Sequence, residues 1–325
     1  MSRPFAPRLR VSSYLSAWMP SGDETRQSVA GYFGGGNISS ANTSAIDKLS
    51  FSAETRSTLS ATMSTDVYAT GAYANSGVAG YFCGGTDYPS FYSRIDKITF
   101  PADTKTTLSA TLTTTVYFLA GMANSGVAGY TGGGVDSSNT PLNGIDKVAF
   151  PADTKTTLSA TLTSGRSRLS AMADSGVAGY FAGGSTAVVF LSGIDKITFP
   201  ADTKTTLSAT LSAATAYLCA CADTGVAGYM FGGSDSVGYV LLIDRIAFPA
   251  DTKTTIAATL SGDANYRAAS ANIGVAGYIA GGYDHPTRFD SIQKLSFPAE
   301  ARTTLAATLS NQLYGTTGMA DCGVF

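Results

Sequence analysis

GVAGYTGGGVDSSNTPLNGIDKVAFPADTKTTLSATL, residues 126–162, carries the pattern on which the whole chain is built. It opens on small residues around Tyr130, passes a glycine cluster at 132–134 and crosses a polar loop to Ile145-Asp146-Lys147. It then turns at Pro151-Ala152-Asp153 and ends in an alternation of Thr or Ser with Leu or Ala. Period-2 alternation with abundant Thr, Val, Ile and Tyr is a strand signal. The same order of features returns along the chain. The tyrosine recurs as Tyr32, Tyr81, Tyr130, Tyr180, Tyr229 and Tyr278, at spacings of 49, 49, 50, 49 and 49 residues. The Ile-Asp element begins at Ile46, Ile95, Ile145, Ile194, Ile243 and Ile292. The closing alternation ends at Met63, Leu112, Leu162, Leu211, Leu260 and Leu309.

Each repeat reads as four strands, a to d. Strand a is rich in small residues, as over 118–123, and strand b is Val-Ala-Gly-Tyr-Phe or a variant of it. Strand c carries Ile98 and Phe100 on one face, and strand d is expected where Leu108, Ala110 and Leu112 alternate with Thr107, Ser109 and Thr111. Asn124-Ser125-Gly126 makes a tight a–b turn, its glycine free to take positive φ. Pro101-Ala102-Asp103 ends strand c and turns the chain into d. Four short antiparallel strands at a period near 50 indicate a β-propeller, whose crowded inner strand needs small side chains. Strand a supplies them at the equivalent positions Gly71, Ala120, Ser170, Cys219, Ala268 and Thr317. The alternative, a β-solenoid, has shorter coils and lacks this hairpin punctuation. The chain enters at strand b (Val29) and leaves after a last strand a (313–320), so that strand can only complete the first blade. An all-β fold follows: a six-bladed propeller over residues 28–325, with four-stranded blades and the first blade closed by the C-terminal strand. Residues 1–27, with Arg3, Arg8, Arg10 and Trp18, stand apart as an edge strand, a tail, or an arm that docks on a neighbouring subunit.

Composition bounds the function. The chain has 325 residues and a net charge of -2, so it lacks the basic excess that nucleic-acid binding needs. With 44% hydrophobic and 14% charged residues it is not a disordered chain. No stretch approaches the ~20 apolar residues of a membrane helix, and the first twenty residues hold no apolar core of a secretory signal. The four cysteines (Cys83, Cys219, Cys221, Cys322) match no zinc spacing and read as free thiols filling small packing positions. One histidine, His285, leaves no two-histidine metal site, and no nucleophile elbow accompanies it. Neither catalysis, nor a metal, nor a cofactor is expected.

The repeats are alike everywhere except on one face. The a–b and c–d turns, which share one end of a blade, barely vary. The b–c loops at the other end differ in every repeat: 37–45, 86–94, 135–144, 185–193, 234–242 and 283–291. The openings of the d–a segments, at that same end, differ too. Aromatic side chains on loops over a rigid scaffold are typical of recognition surfaces. The expected ligand-binding residues are Tyr88, Phe91, Tyr92, Tyr117, Phe190, Tyr239, His285, Arg288 and Phe289, with Tyr68, Tyr217, Tyr266 and Tyr314 near them.

Three charged series recur in register. Asp47, Asp96, Asp146, Asp195 and Asp244, with Gln293 in the sixth repeat, are each followed by a basic residue and read as structural. Asp103, Asp153, Asp202 and Asp251, with Glu54 and Glu300 in the end repeats, are expected to organise the c–d hairpin. Asp87, Asp136, Asp235 and Asp284 open the variable loops and are placed to cap their first amides.

The apolar run leading into Gly35-Gly36, Gly84-Gly85, Gly133-Gly134, Gly183-Gly184, Gly232-Gly233 and Gly281-Gly282 resembles the kelch-type propeller repeat. It departs from that repeat in strand d, where leucine or isoleucine stands in place of tryptophan. The phrase AGYFxGG followed by IDKITFPADTKTTLSATL is also similar to kelch-like repeat proteins among tailed-bacteriophage virion proteins, those of cyanophages in particular. That resemblance implies a fibre, tail or decoration component of a virion. Its partners would be other virion proteins or a host-surface glycan or protein, with a homo-oligomer possible and without membrane insertion. The alternatives are a lectin-like module and a scaffold inside the particle.

Overall fold

The structure, a computed structural model, describes residues 29–262 and 264–321. The arm expected over 1–27, and Cys322, lie outside the described residues. Six blades of four antiparallel strands, the sixth extended by the short strand Tyr283–Asp284, are arranged as a six-bladed β-propeller with no helix among the described residues. In the first blade the order from the axis outward is Thr317–Ala320 (a), Ala30–Gly34 (b), Ile46–Ser50 (c) and Thr55–Thr58 (d). The C-terminal strand therefore closes the ring. Gly31 opposite Ala320 and Gly34 opposite Thr317 set the register of this seam. The Asp321 carboxylate clasps it, accepting hydrogen bonds from the Val29 amide (2.8 Å) and the Ala30 amide (3.1 Å).

Two strand boundaries differ from the sequence reading. Strand a of the third blade is Ala120–Asn124, two residues later than 118–123 suggests. Strand d is Thr104–Thr107 and its counterparts, not the alternating run that follows. The alternation in 108–112 is real in burial, with Leu112 only 4% exposed. However, the run is tied to its own blade only at every fourth amide, Leu108 to the Ile95 carbonyl at the start of strand c and Leu112 to the Ser93 carbonyl in the loop before it. It is an extended strap that buries its leucines as the chain crosses to the next blade. In the sixth blade alone this strap joins strand d as one element, Ala301–Leu313.

The Ala-Gly-Tyr motif of strand b is explained by contacts between blades. A Cβ on Gly129 would lie 2.0 Å from the Tyr73 ring, and one on Gly179 2.2 Å from the Met122 sulfur. Both intruding side chains come from strand a of the preceding blade, so glycine is required by close approach rather than by φ. The tyrosine then reaches forward. Tyr32, Tyr81, Tyr130 and Tyr180 donate to Asp103, Asp153, Asp202 and Asp251 at 2.7–2.8 Å, each on the c–d turn of the next blade. Lys48, Lys97, Lys147 and Lys196 pair with the same four carboxylates at 2.6–2.7 Å. Between the fifth and sixth blades, and between the sixth and first, the acid is glutamate and the contact is looser, with Tyr229 at 3.4 Å from Glu300 and Tyr278 at 3.3 Å from Glu54. These turn acids thus join blades, whereas the sequence suggested that they organise their own hairpin. Burial, and then the carboxylate, push the hydroxyls of Tyr32, Tyr81, Tyr130 and Tyr180 far above the ordinary phenol range.

The aspartates of strand c form a second set of joints at the opposite end of the blades. Asp96 accepts the Ser64 amide (2.8 Å) and hydroxyl (2.7 Å) from the strap of the preceding blade, and the Thr107 hydroxyl (2.6 Å) from its own. Thr113 with Asp146, Thr163 with Asp195, Ser212 with Asp244 and the Ser310 amide with Asp47 repeat the pattern. Gln293 keeps it without charge, accepting the Ser261 amide and donating to the Ser261 carbonyl.

Candidate functional site

The b–c loops and d–a segments meet on one face, around the propeller axis. Where each d–a segment enters strand a, one residue adopts the left-handed backbone conformation: Ala69 (φ 59°), Phe118 (55°), Arg168 (58°), Tyr217 (60°), Tyr266 (56°) and Gly315 (65°). These six residues form a closed ring of backbone hydrogen bonds. The amide of each donates to the carbonyl of its counterpart one blade back: Ala69 to Gly315, Phe118 to Ala69, Arg168 to Phe118, Tyr217 to Arg168, Tyr266 to Tyr217 and Gly315 to Tyr266, at 2.8–3.2 Å. Bulky residues seldom adopt this conformation, which costs of order 1–3 kcal/mol and gathers at functional positions. Here the ring of hydrogen bonds holds four of them in it.

The side chains of the ring fill the throat it encloses. Phe118 and Tyr266 stand on opposite blades, yet their ring centroids are 5.6 Å apart, so they meet on the axis. Tyr217 packs on Tyr266 at 4.2 Å. The Arg168 guanidinium lies over both Phe118 (4.7 Å) and Tyr217 (5.1 Å). On the side where the ring has only Ala69 and Gly315, Tyr68 leans over, touching Phe118 (5.9 Å) and Tyr314 (6.0 Å). Burial first, then neighbouring phenols, raise the hydroxyls of Tyr68 and Tyr266, while Arg168 opposes the rise. They stay neutral and can donate hydrogen bonds at any physiological pH.

The expected ligand residues divide into three groups. Phe91 and Tyr117 join the throat cluster, with rings 5.3 Å apart, and Tyr117 donates to Asn139 on the next loop. Tyr88 stands above Phe91 and is 80% exposed. Arg288 belongs with them: it lies over Tyr283 (5.5 Å) and Tyr314 (5.2 Å) and donates to Asn37 of the first blade. A second group sits between the fifth and sixth blades, where the Tyr239 hydroxyl meets Asp284 and His285 packs edge-on against Tyr283. The third group does not serve a shared site. Tyr92 lies under Arg94 (4.1 Å) and packs on the core. Phe190 is half-buried in its own loop, and Phe289 is held in a strand opposite Leu313.

Phe118, Arg168 and Tyr283 are missing from the sequence-derived set. Aligning the d–a segments places Ala69, Phe118, Arg168, Tyr217, Tyr266 and Gly315 at one position, so the register was readable. Its meaning as a ring was not, because the six residues share no chemistry. The loop-opening aspartates behave as expected in two blades. Asp136 accepts the Ser138 and Thr140 amides, and Asp235 accepts those of Val237 and Gly238, which lower its carboxyl below the ordinary range. Asp87 instead accepts the Asn42 amide group and ties two loops together.

No group of three or more His, Cys, Asp or Glu residues among the described residues could hold a metal ion. Cys83, Cys219 and Cys221 are buried free thiols, and burial pushes Cys219 up to about 12. The chain matches no protein-family model and no curated protein. The functional reading therefore rests on the geometry of this face.

Proposed function

We propose that the protein is a non-enzymatic recognition component of a phage virion, a fibre, tail or decoration protein, whose loop face binds a host-surface glycan or protein. One observation supports this reading above the others. The blades are nearly identical at the end of the a–b and c–d turns, and they diverge most at the opposite end, where their loops and d–a segments gather aromatic rings and two arginines. Cross-blade ties such as Arg288–Asn37 and Asn42–Asp87 hold those loops in advance of any ligand, which lowers the ordering cost of binding. Because the loops differ, the proposed site is one composite surface and not six equivalent sugar sites. Copies displayed together would gain avidity.

The test is a binding screen of the purified chain against surface polysaccharides and outer-surface proteins of candidate bacterial hosts. The triple variant Tyr88→Ala, Tyr283→Ala, Arg288→Ala is run beside it. Saturable binding that drops at least about tenfold in the variant is expected. Absence of binding by a folded native chain sinks the adhesin reading.

A second reading, a scaffold inside the particle, is favoured by the opposite face. There Val29, Val78, Val127, Val177 and Val226 are 42–64% exposed in equivalent positions around the axis. Replacing those valines by serine would then reduce incorporation into particles, while changes on the loop face would not.

A further inference from the structure

Arg166 lies on the strap from the third blade to the fourth. Its guanidinium donates to the Gly183 carbonyl (3.3 Å), the Gly193 carbonyl (3.2 Å) and Asp195 (2.6 Å) of the fourth blade. The preceding strap, from the second blade to the third, has Val116 at this position. Between that strap and the third blade lies a cavity of about 250 Å³. Its lining includes Gly133, Gly144 and Asp146, the counterparts of the three acceptors of Arg166. The backbone is alike in both blades: the Gly133 amide donates to the Gly144 carbonyl (3.2 Å) as the Gly183 amide does to the Gly193 carbonyl (3.1 Å). Thr131 adds to the space, standing where the other blades carry Phe33, Phe82, Phe181, Met230 and Ile279. In the fifth blade, with Met230 there, the corresponding cavity measures only about 10 Å³. The second blade brings an arginine to the same carboxylate from another position, with Arg94 Nε 3.6 Å from Asp96 Oδ2.

We propose that the cavity of the third blade binds one alkylguanidinium, with Asp146 and the Gly133 and Gly144 carbonyls as acceptors. The source is a free small molecule or an arginine side chain of a partner. A water takes about 30 Å³ of liquid, so the volume accommodates a guanidinium and its methylenes. Solvent reaches the site. Asp146 has the most exposed side chain of the strand-c aspartates, 11% against 1% for Asp195, and Thr113, Asn143, Gly144 and Thr157 on the rim are exposed. Lys155 does not compete for the same oxygen. It pairs with Asp146 Oδ1 (3.1 Å), as Lys204 does with Asp195 Oδ1 (3.3 Å) while Arg166 holds Oδ2. Oδ2 accepts the strap amide in both blades, from Thr113 and Thr163, and in the fourth it takes Arg166 as well. The acceptors suit the planar fork of a guanidinium better than the compact charge of an ammonium. The proposal depends on this cavity and not on the reading of the loop face.

Calorimetric titration of the full chain with propylguanidinium and with the N-acetyl methylamides of arginine, lysine and citrulline tests it. Saturable one-site binding of the two guanidinium compounds is expected, at least about tenfold tighter than that of the lysine compound, with none of the neutral citrulline compound. Tighter propylguanidinium assigns a free small molecule, and a tighter arginine compound assigns a side chain of a partner. Asp146→Asn should weaken binding at least about tenfold. It is expected to fold, because the sixth blade keeps the same joint with the uncharged Gln293. Val116→Arg, which gives this strap the residue of the next one, should abolish binding. Thr131→Met, the residue of the fifth blade, closes the cavity in a second way and carries the test if Val116→Arg does not fold. No saturable binding of the guanidinium compounds, equal binding of the citrulline compound, or binding that the folded variants leave unchanged overturns the proposal.

Discussion

The two ends of the propeller carry the same number of repeats and keep them with very different fidelity. At the end of the a–b and c–d turns, each blade spends its tyrosine, lysine and turn acid on its neighbour, and the same triad recurs in blade after blade. At the other end the ties between loops differ from blade to blade, as Arg288–Asn37 and Asn42–Asp87 do, and the loop tips diverge into Tyr88, Val188, Val237 and His285, all exposed. The contrast teaches that contact between blades is what restrains a duplicated sequence. Divergence marks where that contact stops and where solvent or a partner begins. The throat ring is the informative exception. Its backbone repeats six times without change in hydrogen bonding, while its side chains range from glycine to arginine.

The contrast can be broken most severely where a loop residue has been drawn into a joint. Arg166 belongs to a variable d–a segment, yet it is 2% exposed and pairs with the buried Asp195 at 2.6 Å. Asp195→Ala should therefore cost about 3–5 kcal/mol by denaturant unfolding, the loss expected when a buried pair is halved. Next in size are the tyrosine joints. Tyr130→Phe should cost about 1.5–3 kcal/mol, as for hydrogen bonds to charged groups, and Tyr229→Phe, whose contact with Glu300 is 3.4 Å, should cost less. Equal losses at the two would remove the distinction drawn between the aspartate joints and the glutamate joints.

Acid sharpens the contrast further. Burial works against ionisation of Asp96, Asp195 and Asp244, but their hydrogen bonds outweigh it and hold all three below the ordinary 3.8. Their contribution is present above that pH and is lost as pH falls through their lower folded values. Asp223 and Asp321, raised chiefly by burial, act in the opposite sense. Unfolding free energy should fall below about pH 3.8, and Asp96→Asn should flatten that fall. A stability profile level down to pH 2 would contradict the joints. The smallest effect is expected at the loop tips. Tyr88→Ala should change stability by no more than about 0.5 kcal/mol, as surface positions do, and a larger loss would mean that the loop face is part of the framework after all.

The period, the glycine pairs and the small inner strand made the blades and the closing strand legible, because each reports a local geometric demand. Strand d was placed too late because 108–112 alternates as a strand does while lacking a ladder, and burial pattern alone does not distinguish the two. The turn acids stand out in the sequence but read as parts of their own hairpins, since partners 55–72 residues away leave no mark on local spacing. The same holds for the site. Tyr92 and Phe289 are aromatic residues in variable loops, like Tyr88 and Phe91, yet packing turns them inward. Phe118 and Tyr266, far apart in sequence, meet only because the ring closes.

The clasp at the seam also has a mechanical meaning. Val29 and Asp321 lie at the same end of paired antiparallel strands, on the side away from the loop face. Force applied between residues 29 and 321 would peel the seam open one hydrogen bond at a time. Force applied between residue 29 and a ligand on the loops would instead run along Ala30–Gly34, which is bonded on both edges, and would load those bonds together in shear. A molecule anchored through its first strand and pulled by what it grips would be held in its stronger direction.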